Sequence, residues 1–336
     1  MRNKSLILMT ICAALSTGLS AQSVYPGQHA GKMKKVTLNE VAHSIFYAPQ
    51  YAAIELGYFE EEGIDLTLVN GAGADKVMTA LISGDAQIGF MGSEASIYVS
   101  QEGADDPAVN FAQLTQRAGN FLVGRTAQPD FKWEDLKGKK VLGGRAGGMP
   151  QMVFEYILKK HGIDPKTDLT IDQSISFGLT AAAFTSGDAD YTVEFEPFAT
   201  TLEMENCGTV VASLGRDSGY VPYTAYCAKK SYMEKNPQLI QKFTNAIQKG
   251  LDYVNSHSAW EIAKTIQPQF KDTPVEKIAA IIDRYKSQDT WKEDTIFEKD
   301  SFELLENILE ESGELKKRVP YEDLVRTDFS INAAKK

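Results

Sequence analysis

Cysteine and histidine are scarce in this chain, with three and four among 336 residues. No CxxC or HExxH occurs, and His29, His43, His161 and His257 are scattered without metal-ligand spacing, so neither a metal site nor a disulfide framework is expected. Cys207 and Cys227 have apolar neighbours and read as buried thiols, although an oxidising compartment would let them pair. Basic charge is also short: 35 Lys and Arg stand against 45 Asp and Glu, a formal net charge of −10. A surface that acidic argues against nucleic acid or anionic membrane as a partner. No segment supplies the roughly 18 uninterrupted apolar residues of a membrane span.

The apolar run from Leu6 to Leu15 is too short to span a bilayer, follows Arg2 and Lys4, and gives way to small residues. Residues 1–21 therefore read as a secretory signal peptide, cut after Ala21, with Leu19 an imperfect fit three places before the cut. Cys12 lies inside the run and follows Ile11, where a lipid-attachment signal wants a small residue, so a free exported protein is expected. Cleavage removes two basic residues and no acid, which takes the formal charge from −10 to −12 and leaves 315 residues. That length suffices for two lobes with their own cores.

What is present is a repeat. The first copy runs from the strand KKVTLNEV through HSIFYAPQ, the helix YAAIELGYF, the connector EEGID and the strand LTLV to the turn SGDAQIGF. The second runs from KKVLGG through RAGGMPQ, MVFEYILKK, HGID and DLTI to SGDADYTVEF. Pro49 and Pro150, Gly63 and Gly162, and Ser83 and Ser186 keep step at offsets of 101, 99 and 103. Strands about a dozen or more residues apart suit parallel pairing, so each copy reads as a βαβαβ unit. Pro suits the first turn of each helix and Gly its left-handed end. Two such units make two α/β lobes whose strand carboxyl ends face a cleft, the edge where open α/β sheets bind ligands. A single larger doubly wound domain with similar halves is the alternative.

In chain order, residues 22–35 are polar and aperiodic and read as a flexible leader. Residues 36–120 form the first part of lobe one, with a helix from about Lys76 to Ile82 and Ser93 or Gly92 as an N-cap. The first crossing is expected at Ala118 to Asn120, and lobe two occupies 121–222. The strand YTAYCAKK then returns the chain, and 223–336 is helical, completing lobe one and covering the back of both lobes. The helix KNPQLIQKFTNAIQKGLDYVNSH carries Leu239, Phe243, Ile247, Leu251 and Val254 on one side.

The set YAPQYAAIELGYFEEEGIDL, SGDAQIGFMGSEASIY, DLKGKKVLGGRAGGMPQMVFEYILKKHGI, SGDADYTVEFEP and YCAKKSYMEKNPQLIQKF resembles the solute-binding proteins of ABC importers. Within them it is similar to the branch of alkanesulfonate, taurine and nitrate binders and the thiamine-pyrimidine binders. The resemblance covers nearly all of Val36 to Phe329. It implies the two-lobe periplasmic binding protein fold, type II, with a discontinuous first lobe, two crossing segments and one small molecule between the lobes. It also implies a membrane permease with its ATPase as partner, a monomer, and no cofactor. Many relatives carry a lipid-attachment motif that this chain lacks.

Loops at strand carboxyl ends give the candidate site. Lobe one offers Ser44, Phe46 and Tyr47, then Gly71 to Asp75 (Gly73 and Asp75 foremost), then Gly92, Ser93 and Glu94; lobe two offers Gly144 to Met149 (Arg145, Gly147 and Gly148 foremost), Phe177, Glu194, Phe195 and Glu196. Several of these loops open helices, whose N–H groups seat an anion, and Arg145 would add charge. Against that, Glu94 and Glu194 would accept N–H groups, while Phe46, Tyr47, Phe177, Phe195 and Tyr223 would sandwich a flat ring. The plainer readings are that the glycines serve turns, that Arg145 is solvated, that Tyr47, Phe195 and Trp291 are core, and that Glu196 caps a helix. Acids plus aromatics favour a thiamine-precursor pyrimidine or another flat nitrogenous compound over a sulfonate, taurine or nitrate. Pyrimidine synthases of thiamine biosynthesis share the fold, but they carry a cysteine-rich segment, and no nucleophile and base pair stands out here. His43 is the only histidine near a cleft loop. A sensor that presents its ligand to a receptor would need the same closed state.

Overall fold

The computed structural model describes residues 32–175 and 178–335; the expected signal peptide, most of the expected leader and Phe177 lie outside the described residues. Ten strands form two five-stranded sheets. The first contains β1 (Lys34–Glu40), β2 (Ile64–Asn70), β3 (Ile88–Gly92), β4 (Ala108–Thr115) and β10 (Thr224–Lys229); the second contains β5 (Asn120–Gly124), β6 (Lys140–Leu142), β7 (Thr170–Asp172), β8 (Tyr191–Phe195) and β9 (Thr209–Ser213). Their orders, β2-β1-β3-β10-β4 and β7-β6-β8-β5-β9, are the same pattern. In each, the repeated unit supplies three parallel strands. The fourth strand is the one that has just arrived from the other lobe, and it runs antiparallel. The architecture is two-lobe α/β, as the repeat and the resemblance predict.

The local reasons follow the sequence. β4 and β5 are buried along their whole length, as strands covered on both faces must be. Pro49 and Pro150 sit in the first turns of the helices Ala48–Glu55 and Met149–Lys160, and Gly63 and Gly162 take φ values of 76° and 67°. Four boundaries differ, the first being that Asn120, expected to close the first part of lobe one, opens β5 in the second sheet. β1 starts at Lys34, so Lys34 and Lys35 are strand rather than leader. The expected continuous helix YAAIELGYF is broken: it stops at Glu55, Gly57 turns left-handed at φ 75°, and a short second helix covers Tyr58–Glu61. The helix expected from Lys76 begins at Ala74.

The C-terminal helices bridge the lobes. The helix Pro237–Ser256 buries Phe243, Ile247, Leu251 and Val254 and packs on the helix Ala48–Glu55 in lobe one. The helix Val275–Ser287 reaches lobe two through Arg284, whose guanidinium contacts Glu196 and Glu203 at 2.6 Å each. The helix Lys299–Ser312 packs on the helix Met149–Lys160. The first crossing, Gln116 to Gly119, is gripped by the same segment: Tyr285 donates to the Gly119 carbonyl at 3.0 Å and Gln288 to the Ala118 carbonyl at 3.1 Å. Cys207 and Cys227 are both free thiols.

Candidate ligand-binding site

Between the sheets lies a cleft of about 450 Å³, a size suited to a small organic solute. Its walls come from both lobes. Lobe one contributes Ser44, Tyr47, Gly73, Asp75, Gly92, Glu94 and Tyr223, and lobe two Gly144, Arg145, Gly148, Met149, Glu194 and Phe195.

Glu94 opens the helix Glu94–Gln101 and is 4 % exposed. It folds back over Gly92, where a Cβ would stand 2.6 Å from its Oε1, so a side chain there would push the carboxyl aside. Burial pushes its pKa up to about 7, while the N–H groups of Glu94 itself and of Met149, with Arg145 nearby, oppose the rise. Met149 is the first residue of the helix Met149–Lys160 in the other lobe. The seat that sequence reasoning offered to an oxyanion is thus turned towards a carboxyl of the protein itself. Glu94 Oε2 has no hydrogen-bond partner among the described residues.

Glu194 lies near the end of β8, 2 % exposed. Thr192 donates to its Oε1 at 2.6 Å and Thr180 to its Oε2 at 3.0 Å. Burial outweighs both hydroxyls and again raises the pKa to about 7. Arg145 behaves differently: its side chain is 58 % exposed and pairs with Asp75 of the opposite lobe at 3.1 Å. That pair closes the mouth of the cleft rather than charging its floor. Nearby, the Tyr98 hydroxyl donates to the Gly147 carbonyl at 3.1 Å, a second contact across the mouth.

Phe46, Ser93 and Gly147 are placed off the cleft wall, while Glu196, Trp291 and His43 take the plainer roles expected of them. Phe46 is wholly buried and off the cleft wall. It packs on the first crossing, where a Cβ on Gly119 would meet its ring at 2.7 Å, and among Tyr47, Phe195, Tyr223 and Tyr285. Ser93 is also buried and turned away, its hydroxyl donating to the Pro222 carbonyl instead of capping the helix. Gly147 spends its N–H on Gln151 at 2.9 Å and its carbonyl on Tyr98, so it serves the loop. Glu196 accepts the Thr200 N–H at 2.9 Å in the first turn of the helix Phe198–Met204, alongside Arg284. Trp291 is core, its Nε1 donating to the Phe46 carbonyl at 2.8 Å. His43 engages Glu40 at 2.7 Å and the Gln269 carbonyl at 3.0 Å, which occupies both ring nitrogens.

Sequence reasoning missed Asn120, Thr224 and Thr180, all on the wall. It searched carboxyl ends, but β5 and β10 run antiparallel to their neighbours and turn their amino ends to the cleft. The available signal was that each follows a crossing.

The NMT1/THI5-like family model matches residues 45–259. The chain belongs to that family. This member is 47 % identical over 298 residues, 89 % of each chain, to the candidate binding protein YtlA of Bacillus subtilis. It is 23 % identical over 249 residues, 68 % of this chain and 69 % of the other, to the 4-amino-5-hydroxymethyl-2-methylpyrimidine phosphate synthase THI5 of Saccharomyces cerevisiae. Among solved structures, the alkanesulfonate-binding protein SsuA of Xanthomonas axonopodis pv. citri superposes with a TM-score of 0.70 at 16 % identity, over 89 % of this chain and 100 % of that one. The periplasmic nitrate-binding protein NrtA of Synechocystis PCC 6803 does so at 0.74 and 16 %, over 90 % and 89 %. These two likenesses establish the periplasmic binding protein fold. No helix among the described residues is long and apolar enough to cross a membrane.

Proposed function

We propose that this member of the family is the extracytoplasmic solute-binding component of an ABC importer, exported by residues 1–21 and read in its closed form by a permease with its ATPase. Its solute is a flat nitrogenous compound, with a thiamine-precursor pyrimidine the best fit. The binding role is supported by the relationship to YtlA and by the fold shared with SsuA and NrtA. A catalytic role rests on the more distant likeness to the synthase THI5, at 23 % identity.

One observation carries the ligand class. The two most buried charged groups of the cleft are both carboxyls, one per lobe, and Glu94 lies against the helix start that an anion would need. An anionic sulfonate or nitrate would face both groups, whereas a ring with amino and ring nitrogens would find acceptors in them and aromatic walls in Tyr47 and Phe195. Arg145 is the residue that favours the anion reading, and Asp75 already neutralises it.

Binding is read as population shift: a solute that touches both lobes only when they meet stabilises the closed form by its differential affinity. Titration calorimetry of two variants tests the class. At about pH 8, where the Glu194 carboxyl is ionised, Glu194→Gln should weaken binding of 4-amino-5-hydroxymethyl-2-methylpyrimidine by about tenfold or more, through loss of a charge-assisted hydrogen bond. Arg145→Ala should leave it within about threefold, since an exposed pair contributes about 0–1 kcal/mol. The reverse ranking, with taurine as the tighter ligand, would sink the heterocycle reading.

A further inference from the structure

The base of the cleft holds a polar group that neither the repeat nor the charge pattern explains. Asn120, the first residue of β5, lies on the cleft wall and is 1 % exposed. Its Oδ1 accepts the Tyr223 hydroxyl at 2.9 Å. That bond sets the orientation of the carboxamide, because turning it over would leave the Tyr223 O–H without an acceptor among the described residues. Its Nδ2 has no hydrogen-bond partner among the described residues. A buried amide donor is almost always paired, so an unpaired one on the wall of a ligand-sized cleft points at the ligand. Glu94 Oε2, from the opposite lobe, is the second unpaired buried atom on that wall.

We propose that Asn120 is a specificity-determining ligand contact: its Nδ2–H donates to an acceptor atom of the solute, while Glu94 Oε2 takes a hydrogen from the same molecule. The solute therefore carries an acceptor and a donor at once, as the N=C–NH2 edge of an aminopyrimidine does and nitrate does not. Asn120 directly follows the first crossing, and Tyr223 directly precedes β10 after the second. Their hydrogen bond ties the two crossings together beneath the ligand, so Tyr223 is a positioning residue that aims the amide. This inference rests on the cleft being a solute site, and its Asn120 half does not depend on the solute being a heterocycle, since a sulfonate oxygen is also an acceptor.

The test is titration calorimetry of the purified protein with 4-amino-5-hydroxymethyl-2-methylpyrimidine and with taurine. Asn120→Asp keeps the shape and the acceptor for Tyr223 but sets an oxygen where the donor was; Asn120→Ala removes the donor without adding charge. Each variant is first shown to be folded by its circular dichroism and cooperative melt. Affinity for the probe that binds the parent should fall about 10- to 100-fold in both. Tyr223→Phe should cost less, about threefold to tenfold, by freeing the amide to rotate. Loss confined to taurine would uphold Asn120 and overturn the heterocycle reading. Folded Asp and Ala variants that bind either probe within about twofold of the parent would overturn Asn120 and leave that reading standing.

Discussion

Two carboxyls that titrate near neutrality sit in one cleft, and this has a consequence for stability. The pKa of Glu94 and of Glu194 stands at about 7 in the folded protein, against an ordinary 4.5. Between those values the folded chain keeps protons that the unfolded chain has released, so stability falls as pH rises from 4.5 to about 7 and levels off above. At about 1.4 kcal/mol per pH unit, each of the two contributes on the order of 3 kcal/mol. A Glu94→Gln, Glu194→Gln double variant should therefore gain stability over the parent between about pH 5 and about pH 8 in urea unfolding; parallel pH profiles would contradict it. The residue scale is also where sequence was least legible. It brought Glu94 and Glu194 to the cleft, but nothing in a linear pattern shows that Ser93 turns to the Pro222 carbonyl or that Phe46 packs beneath Gly119. Loop side chains choose their direction by tertiary contact, and strand periodicity stops where the loop begins.

At the scale of elements, the repeat made the two β-α-β-α-β units readable, down to the left-handed glycines Gly63 and Gly162. It could not show that the strand following each crossing inserts antiparallel at the fourth position, because that strand lies outside the repeated unit. The role of the helix Val275–Ser287 was hidden for a similar reason: its apolar face is ordinary, and its distinctive contact is the Arg284 guanidinium held between Glu196 and Glu203. The Glu196 side chain is fully buried, so removing its cation strands a charge. Arg284→Met should cost about 3–5 kcal/mol, read from the urea midpoint at unchanged m-value. A loss below about 1 kcal/mol would mean the pair is solvated and does not fasten the C-terminal helices to lobe two.

At the scale of the whole molecule, contacts of two kinds join the lobes. Behind the cleft they are buried, as where Ser44 donates to the Glu196 carbonyl at 3.0 Å. At the mouth they are exposed and weak, as in the Arg145 and Asp75 pair. Such an arrangement leaves the mouth free to open about a fixed back, and a ligand on the wall then decides how long it stays shut. The measurement that bears most directly on this account is a thermal-shift comparison of the ligand-stripped protein with 4-amino-5-hydroxymethyl-2-methylpyrimidine, taurine, ethanesulfonate and nitrate. A ligand at about 100 times its dissociation constant adds about 2.7 kcal/mol, so the aminopyrimidine should raise the melting temperature by several degrees, and zwitterionic taurine and the anions ethanesulfonate and nitrate should not. A rise with those three alone would contradict the assignment of the cleft floor to Glu94 and Glu194 as acceptors for a nitrogenous ring.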